Sequence, residues 1–127
     1  MFLRVFHPES LLQLFCSCHD ILDSNAVHGE ESLVRSRLSE LILVMSVEPG
    51  FGGQKYIPES TERIRRLREE AKRVNPGLHI EVDGGVKLDN VKMIVDAGAS
   101  MIVAGSAVLG GDDVEEKARA FMEILEP

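Results

Sequence analysis

Three glycine-bearing motifs in the second half of the chain combine residue types that could bind an anion and transfer a proton. They are Gly50-Phe51-Gly52-Gly53, Asp83-Gly84-Gly85 and Gly105-Ser106. Glycine leaves the backbone uncovered, so its N–H groups can approach an anion closely, and Ser106 adds a hydroxyl donor. Asp83 carries a carboxyl group that can act as a general acid or base. Together the motifs predict an anion cradle.

Each motif also has a purely structural interpretation. Glycine is the default residue of tight turns, and aspartate is a favoured turn residue. Met45, which precedes the first motif, could equally fill a gap in the core. The occurrence of a glycine loop after each of three successive strand-like runs favours a binding site over three unrelated turns.

The elements that would position these motifs form a regular repeat. Short apolar runs at residues 41–47, 78–82 and 101–104 predict buried strands. Helices are predicted at 58–74, 87–97 and 113–125. The residues expected to face inward are Ile64, Leu67 and Ala71 in the first helix and Leu88, Val91, Ile94 and Val95 in the second.

Three strand–helix units of roughly 30 residues each are the size of a βαβ repeat. The predicted fold class is therefore α/β with parallel strands, covered by helices or closed into a barrel. In such folds the loops after the strands lie at one end of the sheet, where ligands bind. All three glycine motifs lie on those loops, which predicts a single site.

The first 40 residues follow a different pattern. Residues 30–40 could form a helix, and Ile21-Leu22 could be a short strand followed by a turn at 23–25. Residues 1–20 have no clean period. The sequence therefore predicts an atypical, partly helical N-terminal segment, 1–40, and an α/β segment, 41–127.

Composition restricts the classes of partner. The chain has 127 residues, which fits one domain, and a net charge of −7. That charge argues against a nucleic-acid partner, because such binding depends on clustered Lys and Arg, but a few oriented amides can still hold a small phosphorylated ligand. No apolar run is long enough to span a bilayer, and no signal peptide develops after Met1.

The cysteines indicate the compartment. Cys16 and Cys18 are separated by one residue, which is poor spacing for a structural disulfide and favours a reducing, cytoplasmic setting. Cys16, Cys18 and His19 also lack the standard spacing of zinc ligands.

The wording and order of residues 43–54, 80–86 and 104–107 resemble the ribulose-phosphate 3-epimerase family. The resemblance runs from about residue 41 to the C-terminus, and it implies that the chain forms the last three to four βα units of a TIM barrel. It further implies an isomerase of the pentose phosphate pathway that interconverts ribulose 5-phosphate and xylulose 5-phosphate. In that family a proton leaves C3 on one face and returns on the other, through an ene-diolate, beside a divalent ion such as Zn, Fe, Mn or Co.

The resemblance also assigns roles to individual residues. Asp83 would be the catalytic proton donor and a metal ligand, and Met45 would form an apolar wall of the site. The residues that would contact the sugar phosphate are Gly50, Phe51, Gly52, Gly53, Gly84, Gly85, Gly105 and Ser106.

This sequence departs from the family pattern at its N-terminal side. The His-x-Asp pair and the further His and Ser of the family are not found, and His7, His19, His28 and His79 stand in other wording. We therefore expect a truncated epimerase that lacks most metal ligands and has impaired activity alone. The alternatives are a non-catalytic phosphosugar-binding module, a half-barrel that closes against a second copy as a homo-oligomer, and another phosphate-binding barrel enzyme such as a hexulose-phosphate synthase or a tryptophan-pathway isomerase.

Overall fold

The computed structural model describes residues 2–4, 20–22, 40–48, 50 and 52–126. In these ranges five strands form one sheet in the order β1-β5-β4-β3-β2, and every neighbouring pair is parallel. The strands are β1 (Phe2–Arg4), β2 (Asp20–Leu22), β3 (Leu41–Met45), β4 (His79–Asp83) and β5 (Met101–Val103). The helices are α1 (Glu59–Val74), α2 (Val91–Asp96), α3 (Gly105–Leu109) and α4 (Val114–Leu125).

The predicted α/β class and the three central parallel strands are confirmed. The predicted strand at Ile21-Leu22 is also confirmed, as part of β2, which pairs with β3. The expected helix at 30–40 and the turn at 23–25 lie outside the described residues, except for Glu40. The division at residue 40 stays a prediction, although β1 and β2 belong to the same sheet as β3–β5.

One face of the sheet carries the main hydrophobic core. Every second residue of the central strands points to this face and packs against α1, α2 and α4. These residues are Ile42, Val44, Ile80, Val82 and Ile102. On α1 the predicted stripe is confirmed, because Ile64, Leu67 and Ala71 are all buried. Acidic residues lie in the first turn of α1 and basic residues in the last, which suits the helix dipole.

The second helix differs from its prediction. It begins at Val91 rather than at residue 87, because residues 87–90 form a turn that the side chain of Asn90 holds. The Lys87 N–H donates to Asn90 Oδ1 at 2.8 Å, and the Asn90 amide donates to Gly85 O at 3.0 Å. Leu88 lies in this turn and is 41% exposed, so the prediction that it faces inward is wrong. Val91 and Ile94 are buried as expected, and Val95 is half-buried against the core.

Strand β3 also ends earlier than predicted, at Met45 rather than at residue 47. Ser46 and Val47 remain buried beyond the end of the strand. Within the described ranges no helix combines the length and the apolar character needed to cross a membrane.

Candidate functional site

The second face of the sheet presents two rows of side chains across β3, β4 and β5. The lower row is Leu43, Glu81 and Met101, and the upper row is Met45, Asp83 and Val103. The upper row ends the three strands at their carboxyl end, the edge at which parallel α/β folds bind ligands. Asp83 therefore occupies the middle of the predicted site edge, with Met45 beside it on β3.

The surroundings of Asp83 change its acidity. Burial and, to a smaller extent, the negative charge of Glu81 raise the pKa of Asp83 from 3.8 to about 6, against the opposing effect of a hydrogen bond from the Gly84 N–H. Glu81 lies two residues before Asp83 on the same sheet face and is only 4% exposed. A carboxyl group with a pKa near neutral can both give and take a proton at physiological pH.

The charge of Glu81 can be tested by itself. We expect Glu81→Gln to lower the pKa of Asp83, because the substitution removes a repulsive charge that disfavours the carboxylate. The pKa should stay above its ordinary value, since burial is the larger cause. Carbon-13 NMR titration of the Asp83 carboxyl group measures the shift. An unchanged or higher pKa in the variant would show that Glu81 does not act on Asp83 through its charge.

The second glycine motif, at the end of β4, packs closely against the chain segment that follows β3. Gly85 has φ +65°, and a Cβ atom there would lie 2.2 Å from the backbone nitrogen of Tyr56. A Cβ atom on Gly84 would lie 2.6 Å from Val47 Cγ2. The structure thus requires both glycines for close packing, whereas their contact with a ligand stays a prediction.

The first glycine motif is open. Gly50, Gly52 and Gly53 are exposed, and a Cβ atom on any of them would meet nothing within 4 Å. Gly50 and Gly53 have positive φ angles, which side chains rarely allow. The loop is braced at one side, where Gln54 Nε2 donates to Glu48 O at 2.6 Å. Phe51 lies outside the described residues.

The third motif follows β5. Gly105 begins the five-residue helix α3 and is half-buried, while Ser106 is exposed. Since β3, β4 and β5 are parallel neighbours, the three motifs lie at the same edge of the sheet on adjacent strands. Which of these residues contact a ligand remains a prediction.

The described residues do not make a metal site by themselves. Among them, no group of three His, Cys, Asp or Glu side chains lies close enough to hold an ion, whereas a catalytic zinc normally takes three protein ligands. His79 stands at the opposite end of β4 from Asp83, roughly 13 Å away at the usual strand rise. In the described part of this face the carboxylates are those of Asp83 and Glu81, and two such groups do not complete the coordination.

A comparison with protein families identifies the chain's relatives. The model of the ribulose-phosphate 3 epimerase family matches residues 30–109, which is more than half of the chain. The chain belongs to the ribulose-phosphate 3-epimerase family. The match includes all of β3, β4, β5 and α3, and therefore all three glycine motifs.

Curated members of the epimerase family match at substantial identity over a limited length. The ribulose-phosphate 3-epimerase of Aquifex aeolicus is 44% identical over 87 residues, covering 68% of this chain and 39% of that protein. The cytoplasmic isoform of Oryza sativa is 46% identical over 87 residues, covering 68% and 36%. The enzyme of Synechocystis is 49% identical over 77 residues, covering 61% and 34%. The chain thus spans less than half the length of these relatives.

A solved structure supports the fold. Thiamine phosphate pyrophosphorylase from Pyrococcus furiosus superimposes with a TM-score of 0.60 at 20% sequence identity, covering 98% of this chain and 57% of that one. The likeness concerns the TIM-barrel-like fold alone. It extends over nearly the whole chain, whereas the family match begins at residue 30.

Two residues that matter at this edge were not singled out by sequence. Ser46 is completely buried at the end of β3, and Glu81 is buried beside Asp83. A charged residue inside an otherwise apolar run was a signal for Glu81, because buried charges are uncommon without a reason. Ser46 gave no comparable signal, since its partners are 37 and 38 residues away.

Proposed function

We propose that this chain binds ribulose 5-phosphate at the carboxyl end of β3–β5 and carries one half of an epimerase site. The observation that most supports this proposal is the position and acidity of Asp83. This residue lies at the end of β4, between two glycine motifs, and its pKa is about 6. Backbone N–H groups of the Gly50–Gly53 loop and of Gly105 and Ser106 at the start of α3 would hold the phosphate, and Met45 would form an apolar wall. The family membership favours this substrate, and the rice relative's name favours a cytoplasmic location.

In the proposed reaction Asp83 donates the proton to one face of C3. A base on the other face takes the C3 proton, the C3–H electron pair forms the C2=C3 bond of the ene-diolate while the C2 carbonyl becomes an oxyanion, and the proton given to C3 from the face of Asp83 restores the carbonyl and yields xylulose 5-phosphate. A divalent ion, when bound, would stabilise the oxyanion of that ene-diolate. Proton transfer on both faces of C3 needs a second acid–base group on the side opposite Asp83. Glu81 does not provide that group, because it lies on the same sheet face as Asp83. We therefore propose that the 127-residue chain binds the sugar phosphate but turns it over slowly or not at all.

The binding and turnover parts are tested separately with the purified chain. Calorimetry with ribulose 5-phosphate should give saturable binding, because the glycine loops remain intact. A coupled assay for xylulose 5-phosphate should give little or no signal. Asp83→Asn should keep the binding, and exposed Asp112→Asn is the matched control. Absence of binding would refute the substrate assignment, and turnover at rates usual for enzymes that Asp83→Asn abolishes would refute the proposed impairment.

A second candidate is a half-barrel that closes against another copy. In the described residues β1 and β2 stand at the two edges of the sheet, and unpaired strand edges favour association with another chain. Leu43 and Met45 are only half-buried on the site face. Light scattering after size exclusion would give the mass of a dimer if this candidate is correct and that of a single chain if it is not.

A further inference from the structure

The end of β3 contains a buried hydroxyl group that joins the separate parts of the site. Ser46 is 0% exposed, and its Oγ donates to Gly84 O at 2.7 Å and to Asp83 O at 3.0 Å. The Ser46 N–H donates to the same Asp83 carbonyl at 2.8 Å. The one residue therefore fixes both peptide carbonyls that follow the Asp83 side chain.

Ser46 also holds the glycine loop that follows it. The Ile57 N–H donates to Ser46 O at 2.8 Å, so the chain returns to Ser46 after this loop. The returning segment of this loop passes Gly85, because a Cβ atom there would meet the backbone of Lys55 and Tyr56. The N–H and the hydroxyl group of Ser46 thus donate to the Asp83-Gly84-Gly85 turn, while its carbonyl group accepts from the segment that follows the Gly50–Gly53 loop.

We infer that Ser46 is a positioning residue, whose hydroxyl group keeps the Asp83-Gly84 peptide oriented so that the Gly84 N–H meets the Asp83 carboxylate. The inference rests on the proposed function, since it assigns a role within that same site. A serine hydroxyl has one hydrogen, shared here between two carbonyl oxygens. Its removal leaves Gly84 O without this donor and leaves Asp83 O with the Ser46 N–H alone. The peptide that carries the Gly84 N–H then gains freedom to rotate.

The chain offers two matched serines as controls. Ser60 is also 0% exposed, but its hydroxyl group has no hydrogen-bond partner in the described part of the chain. Ser60→Ala therefore removes the same atom without removing a bond. Ser100 binds the backbone of β4 at the end opposite Asp83, where its hydroxyl group accepts from the Ile80 N–H at 3.0 Å. Ser100→Ala therefore removes a hydroxyl–backbone bond far from Asp83.

Amide hydrogen exchange in the ligand-free chain tests the positioning role. In Ser46→Ala we expect exchange at Gly84 to accelerate about tenfold, the equivalent of one lost hydrogen bond, while amides within α1 and α4 change much less. Ser60→Ala should leave Gly84 unchanged, and Ser100→Ala should affect the start of β4 instead. A uniform acceleration at all amides in Ser46→Ala would show a merely structural role and refute the inference.

Ligand binding provides the second measurement. Ser46→Ala should bind ribulose 5-phosphate about tenfold more weakly than the original chain, and Ser60→Ala should bind it equally well. If Ser46→Ala fails to fold, Ser46→Cys keeps the shape with a weaker donor and should give an intermediate affinity and exchange rate. Equal affinity and exchange in the serine and cysteine chains would refute the inference. If the original chain binds no ribulose 5-phosphate, the proposed function fails, and the exchange at Gly84 still decides the role of Ser46.

Discussion

Asp83→Asn is expected to make the folded chain more stable at pH 8, by on the order of 2 kcal/mol after allowance for the partial exposure of this side chain. Burial and Glu81 raise the pKa of Asp83 from 3.8 to about 6. The folded chain then binds this proton more tightly than the unfolded chain does. Its contribution to stability is present at low pH and is lost as the pH rises from about 4 to about 6.

Urea unfolding of both chains at several pH values measures this effect. The difference between Asp83→Asn and the original chain should be large at pH 8 and small at pH 4, where Asp83 is protonated when folded. Asp112→Asn changes an exposed loop carboxylate and should show no such pattern. A variant less stable than the original chain at pH 8 would mean that the ionised Asp83 supports the fold. A stabilising loss of the acid would be typical of a residue kept for function.

Gly85→Ala is expected to destabilise the chain by more than about 3 kcal/mol, within the range of severe steric substitutions. The added Cβ atom would lie 2.2 Å from Tyr56 N and 2.7 Å from Tyr56 Cα. These are backbone atoms and cannot rotate away as a side chain could. The positive φ of Gly85 adds strain of about 1–2 kcal/mol for a residue with a side chain.

Two glycines of the open loop are controls for this substitution. Gly52 has free space around it and no positive φ, so Gly52→Ala should change the stability by less than about 0.5 kcal/mol. Gly53 also has free space, but its φ is +75°, so Gly53→Ala should cost about 1 kcal/mol. Thermal or urea unfolding would give the order of the three variants. A Gly85→Ala chain as stable as Gly52→Ala would contradict the close approach to Tyr56.

The sequence predicted the parts of this structure that depend on local patterns. The apolar runs located β3, β4 and β5, and the 3.6-residue period identified the buried stripe of α1. The placement of Asp83 at a strand end followed from the parallel βαβ repeat, so the edge that carries the candidate site could be predicted.

The features that could not be predicted depend on individual side-chain hydrogen bonds or on contacts between distant residues. The start of α2 is set by the side-chain bonds of Asn90, which leave Leu88 exposed. The role of Ser46 depends on carbonyl groups 37 and 38 residues away. A three-residue strand such as β1 is too short to show a period, so its pairing with β5 had no signature in the sequence.

The pairing of β1 with β5 has a consequence for the order in which the chain folds. Phe2 lies opposite Met101, 99 residues later (101 − 2), whereas Glu81 lies opposite Met101 across only 20 (101 − 81). Closing the longer loop costs about 1.4 kcal/mol more in chain entropy, and distant pairings form slowly. We therefore expect β2, β3, β4 and β5 to assemble first, since neighbouring strands among them are closer in sequence than β1 is to β5. We expect β1 to be the last of these strands to join the sheet, although it precedes the other four in the sequence.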